Sequence, residues 1–152
     1  MECCKEVAVT IDLARIPEES SLIDQGLKTQ LSGIFGKMEG QVAIKAVVDL
    51  SREKDCEQAA FLRAVSALSD KLNLELYAPD EAGQVPELNT QWLPVTGLYR
   101  DGRYGRASFH GVPGGKEINS FVLAIYNLAG PGQEMPRGLR KKIEKLDKKT
   151  NI

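Results

Sequence analysis

Apolar and polar residues alternate near the start of the chain, where Val7, Val9, Ile11 and Leu13 are separated by Ala, Thr and Asp residues. A period of two is typical of a half-buried strand. We therefore predict a strand here, at an edge of the sheet, that ends before Pro17.

The next apolar residues are three or four positions apart, which is the spacing of an amphipathic helix. They are Ile23, Leu27, Leu31, Ile34 and Met38. We expect Ser20 or Ser21 to be the N-cap, with Asp24 in the first turn, because hydroxyl and carboxylate side chains are favoured there. Gly40 is expected to close the helix.

A strand, a helix and a second strand are predicted between residues 42 and 78. Val42–Leu50 is mostly apolar and branched, as in a central strand. A second helix follows with Asp55 as its cap, and Phe61, Val65, Leu68 and Leu72 form its apolar face. Residues 74–78 alternate again, and residues 79–91 are rich in the Pro, Gly, Asp and Asn of loops.

The last part of the predicted domain is a hairpin followed by a helix. Asp101 and Gly102 form a strong hairpin signal between two strands. The final helix has apolar residues on its main stripe and on its opposite face, so we expect burial on both sides. They are Ile118, Phe121, Val122, Leu123, Ala124, Ile125, Tyr126 and Leu128.

This order predicts an α/β, thioredoxin-like β-α-β-β-β-α three-layer domain with an additional N-terminal strand and helix, because a β-α-β unit gives parallel strands and a hairpin adds antiparallel ones. Pro94 precedes the third strand of that domain, as a commonly cis proline does in this fold. We expect an N-terminal extension at 1–20, the domain at 21–130 and a basic tail or linker helix at 131–152.

Charge and apolar content exclude several classes of function. The chain has 152 residues, and 20 Lys and Arg balance 21 Asp and Glu. Such a balance does not favour nucleic-acid binding. No apolar run approaches the ~20 residues needed to span a membrane, and the first residues lack the apolar core of a secretory signal. We therefore expect a soluble cytoplasmic protein.

The tail is the exception to this charge balance. Arg137–Lys149 has seven basic and two acidic residues. It is either a solvated terminal helix or a docking surface for an acidic partner.

The Gly-rich turn before the final helix does not match a phosphate-binding loop. Gly115 and Lys116 supply the G-K pair, but His110 replaces the first glycine and Glu117 replaces the Ser or Thr that would hold magnesium. The cysteines and the single histidine match no metal-ligand spacing. We therefore expect no cofactor and no metal.

The cysteines are Cys3, Cys4 and Cys56, and no C-x-x-C is present. Cys56 lies close to the place where a thioredoxin-like enzyme keeps its nucleophile, at a helix N-terminus that stabilises the thiolate. Its acidic neighbours Asp55 and Glu57 disfavour a thiolate. Cys56 is thus either an ordinary cysteine or a monothiol redox group, and Cys3 and Cys4 are a second candidate.

Glu117 and His110 each have two interpretations. Glu117 falls in the first turn of the last helix, where a carboxylate stabilises the helix dipole by about 0.3–1 kcal/mol. His110 is expected in a strand, where a neutral histidine is usually structural. Spacing alone does not assign chemistry to either.

The stretch FHGVPGGKEINSFVLAIYNLAG (residues 109–130) resembles the N-terminal domain of the flavoprotein subunit of alkyl hydroperoxide reductase. The shared pattern is F-x-G-x-P-x-G-x-E, then Ser120, Val122 and Ala124, then a glycine after the helix. The segments KTQL (residues 28–31) and LSDK (residues 68–71) echo the same family, so the resemblance covers residues 21–130.

That resemblance implies two thioredoxin-like folds in tandem. The second carries a C-x-x-C that passes electrons from the flavin and pyridine-nucleotide part to a peroxiredoxin. The first lacks the cysteine pair and contributes a glutamate beside its neighbour's dithiol in an acid–base role, which the match places at Glu117. The sequence in hand corresponds to the first fold only.

Three functions remain open from the sequence. The chain is an accessory module that docks on a dithiol (C-x-x-C) redox protein or a peroxiredoxin system, with Glu117 as the acid–base group and Pro94 and His110 as partner-binding residues. Alternatively, it is a monothiol disulfide oxidoreductase that uses Cys56, or the Cys3 and Cys4 pair. The third function is a non-redox interaction module. Dimerisation stays open for all three.

Overall fold

The computed structural model describes residues 11–111 and 117–130. These residues form three α-helices and four β-strands. The helices are α1 (Gln25–Phe35), α2 (Glu53–Ser66) and α3 (Glu117–Ala129), and the strands are β1 (Val42–Val47), β2 (Leu72–Tyr77), β3 (Val95–Arg100) and β4 (Arg103–His110). Among the described residues, no helix is long and apolar enough to cross a membrane.

The described strands form a mixed sheet with the order β2-β1-β3-β4. β1 pairs parallel with β2, and β3 pairs antiparallel with β1 and with β4. This arrangement follows from the α2 crossover between β1 and β2 and from the tight turn between β3 and β4. The sheet and its helices confirm the predicted α/β thioredoxin-like class.

The predicted N-terminal strand is only partly within the described residues, since residues 7–10 lie outside them. The Ile11 amide donates to the Leu76 carbonyl of β2 at 2.7 Å, at the edge of the sheet. Leu13 does not continue a strand but begins a short 3-10 helix (Leu13–Arg15). The Asp12 side chain accepts a hydrogen bond from the Ala14 amide and thereby stabilises that turn.

The caps of α1 differ from the prediction. Asp24, not Ser20 or Ser21, is the N-cap, and its Oδ1 accepts from the Leu27 amide at 2.7 Å. The Ser20 hydroxyl is used in a turn with the Leu22 amide. The helix ends before Gly36 rather than at Gly40.

The bounds of α2 and of its flanking strands also differ from the prediction. Asp55 is not the N-cap of α2, because Arg52 is in that position and Asp55 lies buried in the first turn. Leu72 does not belong to this helix, since it opens β2 and is paired with Val42. The first central strand ends at Val47.

One face of the sheet and the described helices share a hydrophobic cluster. Buried side chains of this cluster include Phe35, Ile44, Phe61, Leu74, Leu98 and Phe121. The ring of Phe121 on α3 lies 5.9 Å from that of Phe61 on α2 and 5.3 Å from that of Phe109 on β4. The predicted burial of α3 on both sides is wrong, since Leu123 is 37% exposed.

The other face of the sheet is covered by residues 79–94, which we call the covering segment. The sequence predicts a loop over residues 79–91, but the segment begins with a 3-10 helix (Pro79–Gln84). Its Val85 and Leu88 pack on a second cluster of sheet residues: Val47, Tyr77 and Val95. Helices, sheet and covering segment are thus the three layers.

The hairpin turn predicted between β3 and β4 is confirmed. Asp101 and Gly102 have φ values of 54° and 77°, the positive values that a two-residue hairpin turn needs. The Leu93–Pro94 peptide bond is cis, as expected for this fold. The covering segment therefore ends in a cis proline at the start of β3.

Candidate docking groove

A groove of about 490 Å³ lies where the N-terminus of α2 meets the start of β3 and the end of β4. Its lining combines apolar and charged side chains: Arg52, Lys54, Glu57, Leu93, Pro94, His110 and Gly111. A thioredoxin-like enzyme keeps its nucleophilic cysteine in this region, where the strand meets the N-terminus of the following helix. Here the described lining contains no cysteine.

Strand pairing brings Pro94 and His110 into the groove together. Val95 of β3 is the register partner of His110 on β4. The Gly111 amide donates to the Pro94 carbonyl at 3.0 Å, which extends the pairing past both residues. The two partner-binding residues predicted from the sequence therefore line one groove.

Trp92 stands beside His110 and was not predicted. His110 Nδ1 lies 2.8 Å from the Trp92 carbonyl oxygen. The two rings meet edge to face with centroids 6.3 Å apart, and Trp92 is 59% exposed. Trp92 is the only tryptophan of the chain and lies two residues before Pro94, which was the available signal.

The α2 side of the groove is held by charged contacts in the turn that follows β1. Arg52 Nε lies 3.6 Å from the buried Asp55 Oδ1, and Asp55 Oδ2 accepts from the Asp49 amide at 2.8 Å. The hydroxyl and the amide of Ser51 both donate hydrogen bonds to Asp49. These bonds, the hydroxyl's more than the amide's, hold the pKa of the Asp49 carboxyl below its usual value. These contacts fix the strand-to-helix turn that presents Arg52.

A buried polar pair adjoins the groove lining. Gln58 follows Glu57 on α2, and its amide nitrogen donates to the Thr96 hydroxyl of β3 at 2.5 Å. Asp55 Oδ1 and Gln58 Oε1 are buried and accept no hydrogen bond from any described residue. Sequence reasoning missed the pair of Gln58 and Thr96, because the two residues are far apart along the chain.

Cys56 is close to the groove but does not line it. Its thiol donates to the Leu50 carbonyl, with Sγ and O 3.1 Å apart, and the residue is half-buried. This hydrogen bond needs the thiol proton. Cys3 and Cys4 lie outside the described residues.

Glu117 is the first residue of α3 and is exposed. Residues 112–116, which connect it to the groove residue Gly111, lie outside the described part. Glu117 is not among the described groove-lining residues. Within residues 11–111 and 117–130, no cluster of His, Cys, Asp and Glu is suited to hold a metal ion.

The chain is similar in sequence to AhpF, a component of alkyl hydroperoxide reductase, from two bacteria. The protein of Staphylococcus aureus is 29% identical over 126 residues, which cover 83% of this chain and 22% of the relative. That of Xanthomonas campestris pv. phaseoli is 27% identical with the same coverage. The chain thus spans about a fifth of the length of these relatives. No protein-family model matches it.

Solved structures give the same picture. AhpF of Enterococcus faecalis superposes with a TM-score of 0.76 at 34% identity and covers 83% of this chain and 62% of that one. The N-terminal domain of the same protein gives 0.73 at 33%, with coverage of 80% and 59%. A protein disulfide oxidoreductase from Aeropyrum pernix gives 0.66 at 17% identity and covers 91% and 57%, which shows a shared fold.

Similarity in sequence and similarity in structure therefore lead to the same kind of protein. Each match covers at least four fifths of this chain. The chain resembles the N-terminal thioredoxin-like domain of alkyl hydroperoxide reductase AhpF.

Proposed function

We propose that the chain is an accessory module that docks on a dithiol redox protein in thiol-based peroxide reduction. The observation that carries the proposal is the groove at the N-terminus of α2. It keeps a proline and a histidine at the place of thiol chemistry in this fold, but its described lining holds charged side chains and no cysteine.

The rim of the groove suits a protein partner. Trp92 is largely exposed beside the groove, and tryptophan is enriched among the residues that dominate binding energy at interfaces. Arg52 and Lys54 outnumber Glu57 among the charged lining residues, so an acidic partner surface would be complementary. Pro94 and His110 supply the remaining contacts in this proposal.

Glu117 is the proposed acid–base group toward the partner's dithiol. It is exposed at the first turn of α3, so a partner could approach it. A carboxylate beside a dithiol can take or give the proton that thiol–disulfide exchange requires. The likeness to AhpF, named for alkyl hydroperoxide reduction, supports a peroxide-reducing system as the setting. The cytoplasm stays part of this proposal.

The monothiol function receives less support. A nucleophilic thiol has to be free and deprotonated, whereas the Cys56 thiol donates to the Leu50 carbonyl beside the groove. A non-redox interaction module would use the same groove, so only redox measurements separate it from the accessory module.

Exchange kinetics test the proposal. The rate at which a reduced C-x-x-C thioredoxin-like protein cleaves a chromogenic aryl disulfide is measured with and without the chain. We expect the chain to accelerate the reaction and Glu117→Gln to lower the maximal rate while the melting temperature stays nearly unchanged. Asp80→Asn, at another exposed acidic residue in a first helical turn, is the control. No acceleration at any chain concentration would reject the accessory function.

A further inference from the structure

We propose that His110 Nε2 is the proton acceptor for a thiol that enters the groove. The inference deepens the proposed function and rests on it, since the thiol would belong to the docked dithiol protein. It assigns the first proton transfer to a residue of the groove itself, in addition to Glu117.

The hydrogen bond to Trp92 fixes which ring nitrogen is available. A carbonyl oxygen only accepts hydrogen bonds, so the His110 Nδ1 that lies 2.8 Å from the Trp92 carbonyl must carry a proton. In the neutral ring, Nε2 is then the atom with the free lone pair. The edge-to-face contact with Trp92 holds the ring in this orientation at the groove wall.

The charges that face His110 across the groove favour the product of proton transfer. They come from α2 and the turn before it: Arg52 and Lys54 are positive, and Glu57 is negative. Behind them, the buried Asp55 carboxylate lies 3.6 Å from Arg52 Nε and neutralises part of that charge. A thiolate beside two cations and a helix N-terminus is more stable than one in water. Glu57 lies on the same side and offsets part of the repulsion between these cations and an imidazolium.

The step is a proton transfer without a change of oxidation state. The S–H bond of the partner thiol breaks, its proton forms a bond with Nε2, and the electron pair stays on sulfur. The thiolate can then attack a disulfide, and the imidazolium returns the proton to the thiolate that leaves.

The tautomer is tested directly, because His110 is the only histidine of the chain. Two-bond proton–nitrogen NMR correlations at high pH are expected to show a protonated Nδ1 and an unprotonated Nε2. A protonated Nε2 in the neutral ring would overturn the proposal.

The proton transfer is tested with a thiol placed in the groove by Glu57→Cys, in a background where Cys3, Cys4 and Cys56 are serine. Its alkylation by iodoacetamide is followed from pH 5 to 9, with and without His110→Asn. Asparagine keeps a donor for the Trp92 carbonyl and has no ring nitrogen that can accept the thiol proton. We expect His110→Asn to lower the rate near pH 6.5 about tenfold, the change that one pKa unit of the introduced thiol gives.

Identical profiles for the two variants would overturn the inference. Ser108→Asn, at an exposed residue of the same strand, is the matched control and should leave the profile unchanged. Because this experiment needs no partner, it separates the two proposals. Identical alkylation profiles combined with accelerated exchange would reject the role of His110 and retain the docking function.

Discussion

The Gln58 side-chain amide donates a hydrogen bond to the Thr96 hydroxyl across 2.5 Å, between α2 and β3. Both residues are buried. Gln58 directly follows the groove-lining Glu57, and Thr96 is two residues after the groove-lining Pro94. The bond therefore joins the helical wall of the groove to its proline wall.

We expect Thr96→Val to destabilise the fold by about 1–3 kcal/mol, because it leaves the buried Gln58 amide without an acceptor. Urea unfolding followed by circular dichroism measures this change. Replacing both residues, as Gln58→Leu with Thr96→Val, should recover much of the loss, since no buried donor is then left unpaired. Strictly additive losses in the double variant would contradict the hydrogen bond.

Gly97 is required by the packing of the covering segment on β3. A Cβ at this position would overlap the Leu88 side chain and lie 3.2 Å from Tyr99 Cε1. We expect Gly97→Ala to lower the free energy of unfolding by about 1–2 kcal/mol, because overpacking outweighs the smaller gain from a stiffer unfolded chain.

Gly83→Ala is the matched control for this prediction. A Cβ there would meet open space, and Gly83 has no positive φ, so its stability should stay within about 0.5 kcal/mol of the original. Equal effects of the two substitutions would show that Leu88 does not pack on Gly97.

Two tyrosines should make the fold sensitive to alkali. Burial raises the pKa of Tyr77 and the pKa of Tyr99 above the ordinary value. The second cause is a hydrogen bond from each hydroxyl, to Glu75 from Tyr77 and to Glu87 from Tyr99. A folded pKa above the unfolded one gives stability that is fully present below about pH 10, the unfolded pKa of tyrosine. This stability is lost as the pH rises toward the folded pKa.

Absorbance at 295 nm, recorded from pH 8 to 13, measures this behaviour. Of the four tyrosines in the chain, Tyr77 and Tyr99 should ionise only as the protein unfolds. Tyr99→Phe should weaken the alkaline loss of stability, and Tyr126→Phe, on α3, should not. A single titration of all four near pH 10 in the folded protein would contradict the two hydrogen bonds.

Elements set by local chemistry were predictable from the sequence. The Asp101–Gly102 turn and the apolar stripe of α3 depend on neighbouring residues alone, and both were found. The cap of α1 was missed because Ser20 and Asp24 both suit an N-cap, and Asp24 lies directly before the helix while Ser20 closes a turn with Leu22.

The groove was predictable only in part. Pro94 was expected directly before the third strand and His110 in the last strand, both as partner-binding residues, and both line the groove. The turn before α2 brings Arg52 and Lys54 into the lining. Trp92 lies beside the groove through its contacts with His110. These relationships connect residues that are distant in sequence, and no periodic pattern encodes them.

The most direct test of the docking groove is a titration of the isotope-labelled chain with a reduced, unlabelled C-x-x-C thioredoxin-like protein, followed by amide and indole NMR signals. We predict saturable shifts at the Trp92 indole, His110 and Gly111. Trp92→Ala should weaken the affinity at least tenfold, and Leu123→Ala on α3 should leave the affinity unchanged. Absence of shifts at these three residues, or equal weakening by both substitutions, would contradict the docking function.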